Sequence, residues 1–318
     1  MYRFIGSTYV RKWAPARLIG LTGALFALLV SLALPAPGTA AAHPGAGKSG
    51  AAQVGTARSG PVRSGPVRPG GAKAYSGRPV RFSGWAFDTC EAPSLATMRA
   101  WRGASPYRAV GVYFGGRARG CPRQKNLNKQ WIKSVDRMGW FLLPIYVGSQ
   151  APCVHVTHKL QYPIGRDPWR QGAAEARDAV NRARWHGMIP GSTLYLDMEA
   201  YDTGNRGCAE RTLSFVRAWN RELRKHRYFP GYYSSADSGI RDLEQARKKG
   251  IEDLPTVVWF ARWGKKPSVT GEPFLSPRAW APHRRIHQYA GNVKETRGGH
   301  RLNIDRNRVD ALVARTWE

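Results

Sequence analysis

Acidic residues are scarce in this chain: 21 Asp and Glu stand against 50 Lys and Arg in 318 residues, a formal net charge of +29. None of the acids precedes Asp88. Ten of the positive charges lie in residues 1–78, which leaves +19 on the remainder. Such a chain is drawn to polyanions by long-range steering, although charge alone selects no ligand. Cysteine is rarer still. The four residues Cys90, Cys121, Cys153 and Cys208 show no Cys-x-x-Cys spacing, which argues against zinc. No Gly-x-Gly-x-x-Gly loop follows the first strand-like run, so a dinucleotide site is not indicated.

Long apolar runs are confined to residues 18–34, a stretch at the short end for a membrane span. Arg3, Arg11, Lys12 and Arg17 precede it, and Pro35-Ala36-Pro37-Gly38-Thr39-Ala40-Ala41-Ala42 follows. This is the pattern of a secretory signal, with cleavage expected near Ala42. Arg11-Lys12 is not a twin-arginine pair, so general secretion is the expected route. Residues 43–79 are rich in Gly, Pro and basic residues and nearly empty of large apolar ones. They cannot bury enough surface to offset chain entropy and read as a disordered linker. Residues 80–318 suffice for one barrel domain.

In an exported chain the four cysteines imply two disulfides, for which three connectivities exist. Each cysteine lies just after a predicted strand. Joining consecutive strands favours Cys90–Cys121 and Cys153–Cys208.

The folded part alternates strand and helix. Strands are expected over 81–87, 109–114, 140–147, 194–199, 231–235 and 256–261, with short candidates at 286–289 and 303–305. Helices are expected over 94–101, 126–138, 167–186, 209–227 and 240–249. The fold class is therefore α/β, a single (β/α)8 TIM-type barrel with irregular last units.

Thr193-Leu194-Tyr195-Leu196-Asp197-Met198-Glu199 is the most informative run. It starts as a strand apolar on both faces and ends in carboxylates two residues apart, about 7 Å along one face. Barrels place their chemistry at the C-terminal ends of their strands. Asp88 on the first strand and Asp305 on the last should meet where the barrel closes. Like charges held close separate in pKa, leaving one acid and one base. Trp85, Tyr113, Tyr146, Tyr195, Tyr233, Trp259, Trp263 and Tyr289 accompany the acids. Aromatic faces among carboxylates suit a glycan cleft, although core packing is the ordinary role of such rings.

Gly84-Trp85-Ala86-Phe87-Asp88, Tyr195-Leu196-Asp197-Met198-Glu199, Gly231-Tyr232-Tyr233-Ser234, Trp259-Phe260-Ala261-Arg262-Trp263, His287-Gln288-Tyr289 and Ile304-Asp305 follow one another along the chain. In this order they resemble the family 25 muramidases, glycoside hydrolases that cut the glycan of peptidoglycan. Phe87-Asp88-Thr89-Cys90 and Gly111-Val112-Tyr113-Phe114-Gly115-Gly116 are more similar still to an exported actinobacterial glycoside-hydrolase-like family, whose likeness implies no activity. The muramidase resemblance implies that Glu199 protonates the glycosidic oxygen, its pKa raised by burial and by Asp197. It also implies that Asp197 stabilises charge at the sugar or orients an acetamido group. Asp88 and Asp305 would bind the sugar from the far side, with Gln288 among the binding residues. The chain departs from the muramidases at His287, where they usually carry Trp, and at Cys90, where they carry a hydroxyl residue.

The expected function is a secreted hydrolase of cell-wall glycan working by acid catalysis from the Asp-x-Glu pair. A non-catalytic wall-binding module on the same barrel is the alternative. A metal-dependent phosphodiesterase would want histidines at strand ends, whereas His155 and His158 fall in a predicted loop and His287 stands alone. No metal or cofactor is expected. The expected partners are cell-wall glycan or another anionic polysaccharide, with teichoic acid or an acidic membrane surface also suiting the charge. No dedicated nucleic-acid site is indicated, and a monomer is expected.

Overall fold

Strand β4 (Thr193–Asp197) is buried along its whole length, because an apolar run of this kind needs cover on both faces. Alternation sends Tyr195 inward, to join Ala86, Leu143, Ile145, Trp259, Ile286 and Val309 in one core. Leu194 and Leu196 point outward and pack in a second core with Phe215 and Trp219. The computed structural model describes residues 79–317. The expected export signal lies outside the described residues, as does the expected linker apart from Pro79.

Around β4 run β1 (Arg81–Asp88), α1 (Leu95–Ala104), β2 (Tyr107–Gly115), α2 (Lys129–Arg137), β3 (Phe141–Tyr146) and α3 (Pro168–Trp185). After it come α4 (Arg206–Lys225), β5 (Phe229–Ser235), α5 (Arg241–Lys248), β6 (Val257–Ala261), β7 (Arg285–Arg297) and β8 (His300–Leu312). The eight strands close a barrel in sequence order. Helices start where small polar side chains can take a free backbone N–H. Ser94 accepts from Thr97, Asn128 from Trp131, Asp167 from Arg170 ahead of Pro168, and Asn205 from Cys208.

The end of the barrel departs from the expected parallel strands. The segments read as short strands at 286–289 and 303–305 belong to two strands of 13 residues each. Strand β8 is antiparallel to both β7 and β1. Gly298 and Gly299, with φ of 52° and 78°, turn the chain between them. A two-residue link can only send a strand back antiparallel, so no helix intervenes. Asp305 consequently lies in the middle of β8 rather than at a strand C-terminus. It reaches the mouth because β8 runs down from the mouth, in register with Asp88.

Disulfides Cys90–Cys121 and Cys153–Cys208 join the segments after consecutive strands, as the cysteine placement suggested.

Candidate active site

Asp88 ends β1 facing into the barrel and is 1% exposed. Its Oδ1 accepts from the Tyr113 hydroxyl at 2.9 Å, and its Oδ2 from Asn307 Nδ2 at 2.8 Å and Gln288 Nε2 at 3.2 Å. Burial, then the charge of Asp305, push its pKa up to about 7 against the pull of those three donors. Gln288 connects this acid to the cleft wall: its Oε1 accepts from Tyr233 Oη at 2.9 Å and Trp263 Nε1 at 3.0 Å. Asn307 connects it to the floor by accepting from Trp259 Nε1 at 2.8 Å. Asp305 is partly exposed, and its Oδ1 accepts from the Asn292 backbone N–H at 2.6 Å.

Across the mouth, Asp197 is the last residue of β4 and 5% exposed. Gln150, fully buried, holds the segment after it: Nε2 donates to the Asp197 carbonyl at 2.9 Å and Oε1 accepts from the Glu199 N–H at 2.9 Å. The Asp197 Oδ1 is buried and makes no hydrogen bond. Burial first, then Glu199, push the Asp197 pKa up to about 8, with Asp88 adding to the rise and Lys159 opposing it. Asp197 therefore keeps its proton through neutrality. Glu199 itself lies beyond β4 and is partly exposed. The burial expected at Glu199 therefore falls on Asp197 instead, since the strand ends two residues before the glutamate.

Two hollows meet at Glu199. The larger, about 580 Å³, is lined by Asp88, Tyr113, Lys159, Asp197, Glu199 and Asp305 among others. The smaller, about 370 Å³, is lined by Glu199, Tyr233, Ser235, Asp237, Arg262 and Trp263 among others. All four anticipated acids thus line one mouth.

Only three of the eight anticipated aromatics line it: Tyr113, Tyr233 and the half-exposed Trp263. Tyr195 and Trp259 are fully buried beneath the mouth, Tyr195 donating to the Leu312 carbonyl. Tyr146 turns outward under α3 and donates to Asp178 at 2.8 Å. Trp85 and Tyr289 meet edge to face, 6.0 Å apart, with Trp85 packed against the outer core and under the Arg308 guanidinium. Two reasons account for these five. Strand alternation turns Trp85, Tyr146 and Tyr289 to the outer face, one residue out of phase with the inward set, whereas Tyr195 and Trp259 face inward but lie too deep to reach the mouth.

Asn307, Gln150 and Lys159 were missed. Asn307 was within reach, standing two residues after Asp305 on the same face of β8. Lys159, 4% exposed, donates to the Ala118 carbonyl from a loop turn at Thr157–Lys159, where no periodic signal exists. Among the described residues no group of three or more His, Cys, Asp or Glu is arranged to hold a metal ion.

Residues 99–309 match the Rv2525c-like, glycoside hydrolase-like domain family. The match includes Asp197, Glu199 and Asp305. None of the curated proteins matches the chain. Among solved structures, it is similar to an uncharacterized B. stearothermophilus protein, at 21% identity and TM-score 0.45, over 71% of this chain and 95% of that one. It is also similar to the Mycobacterium tuberculosis Tat-secreted protein Rv2525c in complex with L-tartrate, at 16% and 0.45, over 72% and 96%. A third likeness is to the Clostridium perfringens spore cortex lytic enzyme SleM, at 13% and 0.48, over 71% and 67%.

Proposed function

The chain belongs to the Rv2525c-like, glycoside hydrolase-like family, and from that premise we propose that it is a secreted hydrolase of cell-wall glycan. The observation that carries the reading is the position of Glu199 at the junction of both hollows, beside Asp197, whose buried carboxyl has its pKa pushed up to about 8. A glycan strand lying across the mouth would place a glycosidic oxygen over Glu199, which donates the proton as the bond breaks. Asp197, with Oδ1 unbonded, offers an acceptor to the ring substituent or the developing positive charge at the sugar. Asp88 and Asp305 face the sugar from β1 and β8, while Tyr233 and the exposed face of Trp263 give it platforms. Two disulfides at the mouth support export to an oxidising compartment, and the excess of basic residues supports retention on an anionic wall or acidic lipid surface.

The test is release of reducing sugar from purified peptidoglycan, teichoic-acid-bearing walls and a polysaccharide panel, comparing the mature protein with Glu199→Gln. Turnover is expected from the first and a loss of at least about 100-fold from the second, with wall binding retained. Equal binding by both proteins with no turnover on any substrate would leave a glycan-binding module and retire the catalytic roles.

A further inference from the structure

The larger hollow reverses the charge of the protein around it. In a chain of net charge +29, its lining carries five carboxylates, Asp88, Glu91, Asp197, Glu199 and Asp305, against the buried ammonium of Lys159 and the imidazole of His158. Lys159 is engaged by the Ala118 carbonyl. A second observation concerns hydrogen bonding rather than charge: the Asp197 Oδ1, in a side chain 5% exposed, has no donor. An acceptor buried without a donor is costly unless a ligand supplies one.

We propose that this hollow selects a sugar carrying a free amine, so that the preferred glycan is wholly or partly de-N-acetylated. The inference rests on the glycan reading of the cleft and names its substrate class. An ammonium brings three donors and a positive charge to a site whose acids repel one another. An acetamide brings one donor and no charge, and leaves the repulsion in place. Attraction to the carboxylates also favours their ionised forms, so binding of the amine releases protons from Asp88 and Asp197. Val147 and Leu302 in the same lining are apolar surfaces an acetyl methyl could meet, so the deciding comparison is amine against acetamide on the same sugar.

The experiment is calorimetric titration of the mature Glu199→Gln protein at pH 6. The probes are glucosamine oligomers and N-acetylglucosamine oligomers of equal length, run in 50 and 500 mM NaCl. The amine oligomer is expected to bind at least about tenfold more tightly at low salt, with the advantage shrinking at high salt. The advantage should fall in Asp305→Asn and vanish in Asp197→Asn, each checked for native circular dichroism. Titration of the unsubstituted protein in two buffers of different ionisation enthalpy should register proton release with the amine oligomer only. Equal binding, tighter binding of the acetylated oligomer, or no binding of the amine oligomer at millimolar concentration overturns the proposal. Hydrolysis of acetylated wall glycan without amine preference would sink this inference alone. Amine preference without turnover on any glycan would instead sink the catalytic reading and leave the ligand assignment standing.

Discussion

Asp197 is a cost to the fold, and the sign of that cost can be worked out. Its carboxyl titrates near 3.8 when free and at about 8 in place. The folded state therefore binds this proton more tightly than the unfolded state does. The associated stability is fully present below about pH 4, declines as pH rises, and is gone above about pH 8. Asp88, pushed up to about 7, acts in the same direction. Asp197→Asn removes an ionisation that the native site resists and keeps the shape of the side chain. The variant is expected to melt several degrees above the unsubstituted protein at pH 9, with the gap closing as pH falls towards 4. Thermal melts across that range decide it: a variant less stable at pH 9 would mean that the Asp197 charge is compensated in the fold. Stability sacrificed at an acid whose buried Oδ1 has no internal donor is what a site built for a ligand would show. The four acids were legible in the sequence because strand spacing places Asp197 and Glu199 together and barrel closure brings Asp88 beside Asp305. Which of the two is buried was not legible, because it depends on where hydrogen bonding to β3 and β5 stops, and β4 ends at Asp197.

At the scale of elements, five helices and the first six strands could be read from periodicity, caps and the all-apolar character of β4. The β7–β8 hairpin could not, since 13-residue strands whose outer faces carry Arg, Lys and Glu give no run of apolar residues to find. That hairpin nevertheless builds much of one wall of the mouth, through Asn292, Leu302, Asn303 and Asp305, with Gln288 and Asn307 buried behind it. It also sets Trp263. A Cβ added at Gly291 would come within 2.0 Å of Trp263 Cζ2, so glycine is what lets the indole lie against β7 and donate to Gln288. Trp263 is 50% exposed, so solvent rather than packed protein lies on one side of its indole. Gly291→Ala is therefore expected to cost about 1 kcal/mol or less in stability, to shift the tryptophan emission, and to weaken glycan binding several-fold. Denaturant melts, fluorescence and the same oligomer titrations measure the three. Unchanged glycan affinity with a displaced indole would remove Trp263 from the binding surface.

Over the whole molecule, the two disulfides tie together the segments that carry the mouth. Cys90–Cys121 closes a loop of 31 residues from β1 to β2, and both cysteines line the larger hollow. Cys153–Cys208 closes 55 residues from the β3–α3 loop to the first turn of α4. Chain entropy alone gives each link about 4 kcal/mol, slightly more for the longer loop. Their functional effects should separate. Cys153 and Cys208 flank the segment after β4 without lining either hollow, so Cys153→Ala/Cys208→Ala is expected to lower the melting temperature while leaving oligomer affinity near its starting value. Cys90→Ala/Cys121→Ala is expected to destabilise by a similar amount and also to weaken affinity, because Thr89, Glu91 and Ala92 in the same wall lose their anchor. Melting curves paired with titrations of both double variants below their transitions test this. Equal loss of affinity in both would place the effect in the global stability of the barrel rather than in the wall of its cleft.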